Sequence, residues 1–119
     1  MSAAPGYVRE LVATVVSGSS LPICLYNNPR TAHFSMSAEL VENLAKLPTV
    51  YAVKNPASAK LLSTGELAAM RSRMPEGFVL GYSGDALIAN VLAAGADAWY
   101  SVVTLSDWYC CQRLLVYGN

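Results

Sequence analysis

This sequence of 119 residues is short of charge: 13% of it is Asp, Glu, Lys or Arg, while 54% is hydrophobic. About 25% charged is usual for a soluble domain. A chain so short of charge either buries surface against a partner or forms the inner part of something larger. Its formal net charge is zero. Without a basic stripe or a Lys/Arg cluster it has little to offer a phosphate backbone, which argues against nucleic acid as a partner. No apolar run reaches the roughly 18 residues of a membrane span. The start, "MSAAPGYVRE", lacks the basic opening and apolar core of a secretory signal. The cysteines are three, Cys24, Cys110 and Cys111. An odd count with an adjacent pair makes a poor disulfide framework and fits a cytoplasmic protein. Cys24, inside an apolar run, reads most simply as a small core hydrophobe. The one histidine, His33, has no partner cluster that would suggest a metal. Neither G-x-G-x-x-G nor a P-loop occurs, so a nucleotide-binding domain is disfavoured and no cofactor is expected.

What is there is periodic. In 5–18, Val8, Leu11, Val12, Val15 and Val16 recur at helical spacing, with Pro5 suited to the first turn and Gly18 to the end. "PICLYN" follows as a short apolar strand of the kind buried on both faces. In 35–48, Ser37 is a candidate N-cap, Glu39 sits in the first turn, and Leu40, Val41, Leu44 and Leu47 form one face. "TVYAVKN" is the second strand. The spacing predicts helix over 56–77 with a break at "STGE", where Ser63 and Glu66 could make a capping box. "FVLGYSG" is the third strand, 85–95 a helix stopped by Gly95, and "DAWYSVV" the fourth strand. Alternation of this kind implies an α/β fold with a parallel sheet and right-handed crossovers. After Val103 the pattern stops, so 1–103 reads as one domain and 104–119 as an atypical C-terminal tail.

Ligands of parallel α/β folds bind outside the carboxyl ends of the strands. Tyr26, Lys54 and Tyr82 fall near those ends, 28 positions apart, and Tyr100 follows 18 later. Lys54 leaves from the apolar wall Val50-Tyr51-Ala52-Val53. Burial there would disfavour its ammonium form. An ordinary lysine is neutral in only about one part in 2,500 at pH 7, and only the neutral amine attacks a ketone to form a Schiff base. A nearby phenol could then move protons through the carbinolamine step. Each residue also has a plainer reading. A strand-end lysine can simply reach water, and a strand-end tyrosine can pack its ring and solvate its hydroxyl. Arg30 and His33 can be solvated loop residues.

The segments "LYNNPRT", "YAVKN", "GYSGD" and "AAGADAWYSV", in that order and spacing, resemble the dihydrodipicolinate synthase / N-acetylneuraminate lyase family of class I aldolases. The resemblance runs from about residue 4 to 103. It implies a (β/α)₈ barrel, usually tetrameric, acting on pyruvate or a related 2-keto acid. On that resemblance Lys54 is the Schiff-base lysine and Tyr26 the proton-relay tyrosine. Gly84 is the glycine lining the pocket through its backbone, and Tyr100 the side chain packed over the bound keto acid. Arg30 stands one residue earlier in its turn than the family's second-substrate arginine.

A barrel of this type takes about 250 residues, and this chain corresponds to strands five to eight, a partial barrel. It has no Thr-Thr pair of the kind that holds the substrate carboxylate in the family. Lys54 is followed by Asn55-Pro56 rather than an acidic residue, which suits a divergent aldolase. The tail does not resemble the Gly-rich loop expected after the last strand, and a truncated or frame-shifted reading at both ends is the expectation. The functional expectation is a Schiff-base lyase using a small 2-keto acid as a homo-oligomer, without nucleic acid or membrane. The alternative is a non-catalytic half-barrel whose open edges pair with another copy to close eight strands. A flavodoxin-like or receiver domain of this size is weaker, since a receiver wants acidic residues at strand ends that here carry Tyr, Lys and Tyr.

Overall fold

The computed structural model describes residues 4–101. Helix α1 (Pro5–Ser17) begins at its proline, whose missing N–H costs nothing in a first turn, and ends at Gly18. Its apolar stripe is wider than its contact. Val8, Val12 and Val16 pack on the core, while Leu11 and Val15 stay exposed. Strand β1 (Ile23–Tyr26) leads through the short α2 (Pro29–Ala32) into α3 (Ala38–Ala45). Ser37 caps α3 as the sequence suggests, its hydroxyl accepting from the Leu40 N–H at 3.2 Å. Strand β2 (Val50–Pro56) is followed by α4 (Ala59–Ser63), α5 (Glu66–Arg73), β3 (Val79–Ser83), α6 (Ile88–Ala93) and β4 (Ala98–Trp99). The expected domain limit at 103, the end of the fourth strand and the tail at 104–119 lie outside the described residues.

The strands form one parallel sheet in the order β1-β2-β3-β4. Sequential parallel order with helical crossovers is the wall of a barrel section, the α/β architecture the alternation implies. Leu25 pairs with Val53 and Val53 with Leu80. These three side chains face the helices and are buried. The next residue along each strand points the other way. Tyr26 pairs with Lys54 and Lys54 with Gly81, giving the opposite, inner face. A register shift between Ile23 and Cys24 leaves Tyr51 of β2 without a partner on β1. Its ring is exposed. Such a bulge sharpens the local twist. Strand β1 is therefore not buried on both faces: Cys24 and Tyr26 are exposed on the inner one.

Helices and sheet share a core in which Val41, Leu44, Val53, Leu80, Ile88 and Val91 are fully buried. Each such side chain stabilises the fold by about 1.5–3 kcal/mol. The helical region at 56–77 does break, but not through a capping box. Gly65 turns left-handed at φ 71°, and Glu66 reaches Lys60 instead at 3.3 Å. The Ser63 hydroxyl donates back to the Lys60 carbonyl. Ser58, unremarked in the sequence, caps α4 by accepting from the Leu61 N–H.

Candidate active site

Three of the sequence's candidate residues meet on the inner face. The Lys54 ammonium lies 4.1 Å from the centroid of the Tyr26 ring. On its other side the Tyr100 ring centroid is 5.9 Å away. Both distances are within the range in which a cation is attracted to an aromatic face. No carboxylate pairs with Lys54 among the described residues. The Tyr26 ring is 54% exposed, so lysine and phenol both open to the concave side. The Asn28 amide donates to the Tyr26 hydroxyl at 3.2 Å and to the Thr31 hydroxyl at 3.1 Å. This ties the phenol to the turn that opens α2. Pro29 starts that turn and carries the chain away from the strand end.

Tyr100 follows β4 and is anchored by its N–H to the Tyr82 carbonyl at 2.9 Å. Its side chain crosses β3 and reaches β1, where its hydroxyl lies 3.5 Å from the Cys24 sulfur. The crossing depends on Gly81. A Cβ there would stand 2.1 Å from the Tyr100 Cε2 atom. The hydrogen bond with Cys24 and partial burial push the Tyr100 phenol up to about 12, so it stays neutral near pH 7. Cys24 is thus a free, exposed thiol on the inner face and not the core hydrophobe its apolar neighbours suggested. The overlooked signal was parity: Cys24 and Tyr26 are two apart in one strand and share a side.

The remaining candidates sit at the rim or behind the sheet. Gly84 follows β3 at φ 111°, a conformation L side chains rarely adopt, and a Cβ there would stand 3.3 Å from the Ala57 Cβ. Arg30 lies exposed on α2, with no ion pair to another described residue. Tyr82 is one step out of phase with Lys54, since Lys54 pairs with Gly81 and Asn55 with Tyr82. It therefore faces the helices, beside Asn27 and Asn55. Asn27 donates to the Asn55 side chain at 3.0 Å, and its own oxygen accepts from the Met36 N–H at 3.0 Å. Both asparagines are buried. Burial raises the Tyr82 phenol, and the Asn55 amide offsets part of that rise. These side chains line a cavity of about 440 Å³ behind the sheet, which also touches Met36, Leu61 and Met70 but not Lys54. At the rim near α6, the Trp99 indole donates to Asp85 at 2.9 Å. No helix among the described residues is long and apolar enough to cross a membrane.

Known proteins share this arrangement of chain. A 4-hydroxy-tetrahydrodipicolinate synthase of Synechococcus elongatus is 38% identical over 85 residues, 71% of this chain and 27% of that protein. One from Listeria welshimeri is 35% identical over 100 residues, 83% of this chain and 32% of that protein. The chain thus spans between a quarter and a third of the length of the curated relatives it matches. A crystal structure of dihydrodipicolinate synthase from Agrobacterium tumefaciens superposes with a TM-score of 0.88 at 36% identity. It covers 100% of this chain, and 41% of that chain is matched. The four-stranded sheet is thus a partial barrel of that enzyme's fold. The profile of the Dihydrodipicolinate synthetase family matches residues 7–106, a span that takes in the Lys54 strand and both phenols, and the chain belongs to that family.

Proposed function

We propose that this chain carries the Schiff-base centre of a lyase acting on pyruvate or a related 2-keto acid. The observation that supports it most is the Lys54 amine, set between two phenol rings on a concave face at the carboxyl ends of parallel strands. The neutral amine attacks the C2 carbonyl carbon, and the resulting carbinolamine loses water to give the imine. Tyr26 is the group for the proton transfers. Because Asn28 donates to the phenol oxygen, the phenol's own proton is free to pass to the departing hydroxyl, and the oxygen can take one back. Tyr100 and the Gly84 backbone serve as lining for the keto acid, and Arg30 as a rim cation for a second substrate. Homologous enzymes named as synthases support the reaction class. The odd cysteine count and the free Cys24 thiol suit the cytoplasm. Borohydride reduction in the presence of pyruvate tests the reading: a stable adduct on Lys54 supports it, and a folded chain that forms none refutes it.

A second reading rests on the open inner face. The two outer strands β1 and β4 each pair on one side only among the described strands, and the inner face exposes Tyr26 and Cys24. A non-catalytic half-barrel would cover these by pairing with a second copy. Sedimentation over a range of concentrations tests it, since a monomer at every concentration argues against self-association.

A further inference from the structure

We infer that the cavity behind the sheet is a second ligand site, independent of Lys54, for a small neutral aromatic amide whose oxygen accepts from Tyr82 and Asn55. Its volume of about 440 Å³ falls within the roughly 300–1,000 Å³ usual for small-molecule sites. Its inner end holds two donors without a good acceptor. Asn55 and Tyr82 are cross-strand partners on the helix side of the sheet, and both are buried. The Tyr82 hydroxyl has no hydrogen-bond partner. The Asn55 amide lies near enough to ease its ionisation but makes no hydrogen bond with it. The Asn55 oxygen already accepts from Asn27 at 3.0 Å, so its NH₂ group is the end left to face other atoms. That group meets the Met70 sulfur at 3.5 Å, and a thioether is a weak acceptor. Folded proteins keep few buried donors in such a state, and a single carbonyl oxygen, with two lone pairs, suits both.

The walls and the charges select what carries that oxygen. Met36, Leu61 and Met70 line the cavity, and thioethers pack favourably against aromatic rings. Met70 is also the adjustable wall, since its side chain is unbranched and turns about three bonds. An entering oxygen displaces the sulfur from Asn55 and reaches the neighbouring Tyr82 hydroxyl. Arg73 and Glu66 line the cavity too, but each is already paired, Arg73 with Glu42 at 3.4 Å and Glu66 with Lys60 at 3.3 Å. Both are about half exposed, and the buried polar side chains among the described residues are the two neutral asparagines. A carboxylate at the inner end would give up its water and meet no buried cation. A neutral amide loses less water and gains two hydrogen bonds. Burial keeps the Tyr82 phenol protonated, so it stays a donor.

Titrations of the purified chain, checked for folding by circular dichroism and followed by NMR shifts, test this. Three probes of one shape separate the contributions: benzamide, benzoate with a charge, and toluene with no acceptor. Benzamide should bind and move the Asn55 side-chain NH₂ signals. Benzoate and toluene should each bind at least about fivefold more weakly, the worth of one hydrogen bond. Tyr82→Phe removes only the hydroxyl. Free of ligand it should resist urea at least as well as the parent, because the lost group had no partner. Its affinity for benzamide should fall about five- to tenfold, and its affinity for toluene should not change. Ala69→Trp, an exposed position of α5 that lines the cavity, should block benzamide without touching the sheet. A folded parent chain that does not bind benzamide overturns the inference. So does benzoate binding as tightly as benzamide, which makes the site one for anions. Equal benzamide affinity in Tyr82→Phe, or in a folded Ala69→Trp chain, overturns it as well. A loss of stability in ligand-free Tyr82→Phe also overturns it, by showing that the hydroxyl is bonded within the protein. Pyruvate trapping on Lys54 should be the same with and without benzamide, and competition between the two would place benzamide on the inner face and overturn the second site.

Discussion

Lys54 and Tyr26 stand opposite each other across the β1–β2 ladder, with the ammonium 4.1 Å from the centre of the ring. The pairing separates two contributions of one tyrosine, the ring that holds the lysine and the hydroxyl that moves protons. Tyr26→Phe keeps the first and loses the second. Its rate of imine formation with pyruvate should fall about 100-fold, the usual scale for a lost general acid–base. Lys54→Arg should form no adduct, because a guanidinium does not condense with a ketone. Time-resolved borohydride quenching reads both.

Asn28 acts through Tyr26. Its amide bonds the phenol oxygen and the Thr31 hydroxyl. Asn28→Ala should slow imine formation by about fivefold, the equivalent of one neutral hydrogen bond of about 1 kcal/mol. An effect as large as that of Tyr26→Phe would mean that Asn28 does more than orient the ring.

The asparagine pair behind the sheet is structural. Asn27→Ala leaves the Asn55 side chain without its partner in a buried place and the Met36 N–H without its partner in a partly buried one. Each such loss costs about 1–3 kcal/mol, so urea denaturation should show a destabilisation of about 2–6 kcal/mol. The lysine chemistry of the fraction still folded should be unchanged, since neither asparagine is on the inner face.

Asp97 gives the fold an acid limb. Burial alone would raise its carboxyl, but the Arg71 guanidinium and the Leu80 N–H outweigh burial and hold it below its ordinary value. The unfolded chain therefore takes up the proton more readily. The stability Asp97 adds is present above the usual carboxylate range and lost as pH falls through it and below. Arg71 and Asp97 are 38% and 42% exposed, so screening keeps the ion pair under about 1 kcal/mol. Urea midpoints measured from pH 7 down to pH 3 should fall less steeply for Asp97→Asn than for the parent, and the variant should start lower at pH 7.

Much of this was legible in the sequence because the strands carry strong patterns. The four apolar runs, the Ser37 cap, the Pro5 start and the strand-end positions of Tyr26 and Lys54 all follow from local chemistry. What was not legible depends on register. Counting 28 residues from Lys54 reaches Tyr82, but the sheet pairs Lys54 with Gly81, and one step in a strand changes faces. The same slip hides Asn27 and Asn55 behind the sheet and puts Cys24 in front of it. The partnership of Gly81 with Tyr100 joins β3 to the residue after β4, and no local pattern announces a glycine kept clear for a distant ring.

The most direct measurement is peptide-resolved trapping with pyruvate and borohydride. The chain has three lysines, Lys46, Lys54 and Lys60, and the other two are exposed and paired with Glu42 and Glu66. The account predicts one adduct per chain, on Lys54, absent from Lys54→Arg. An adduct spread over all three lysines, or none at all in a chain shown to be folded, would contradict it.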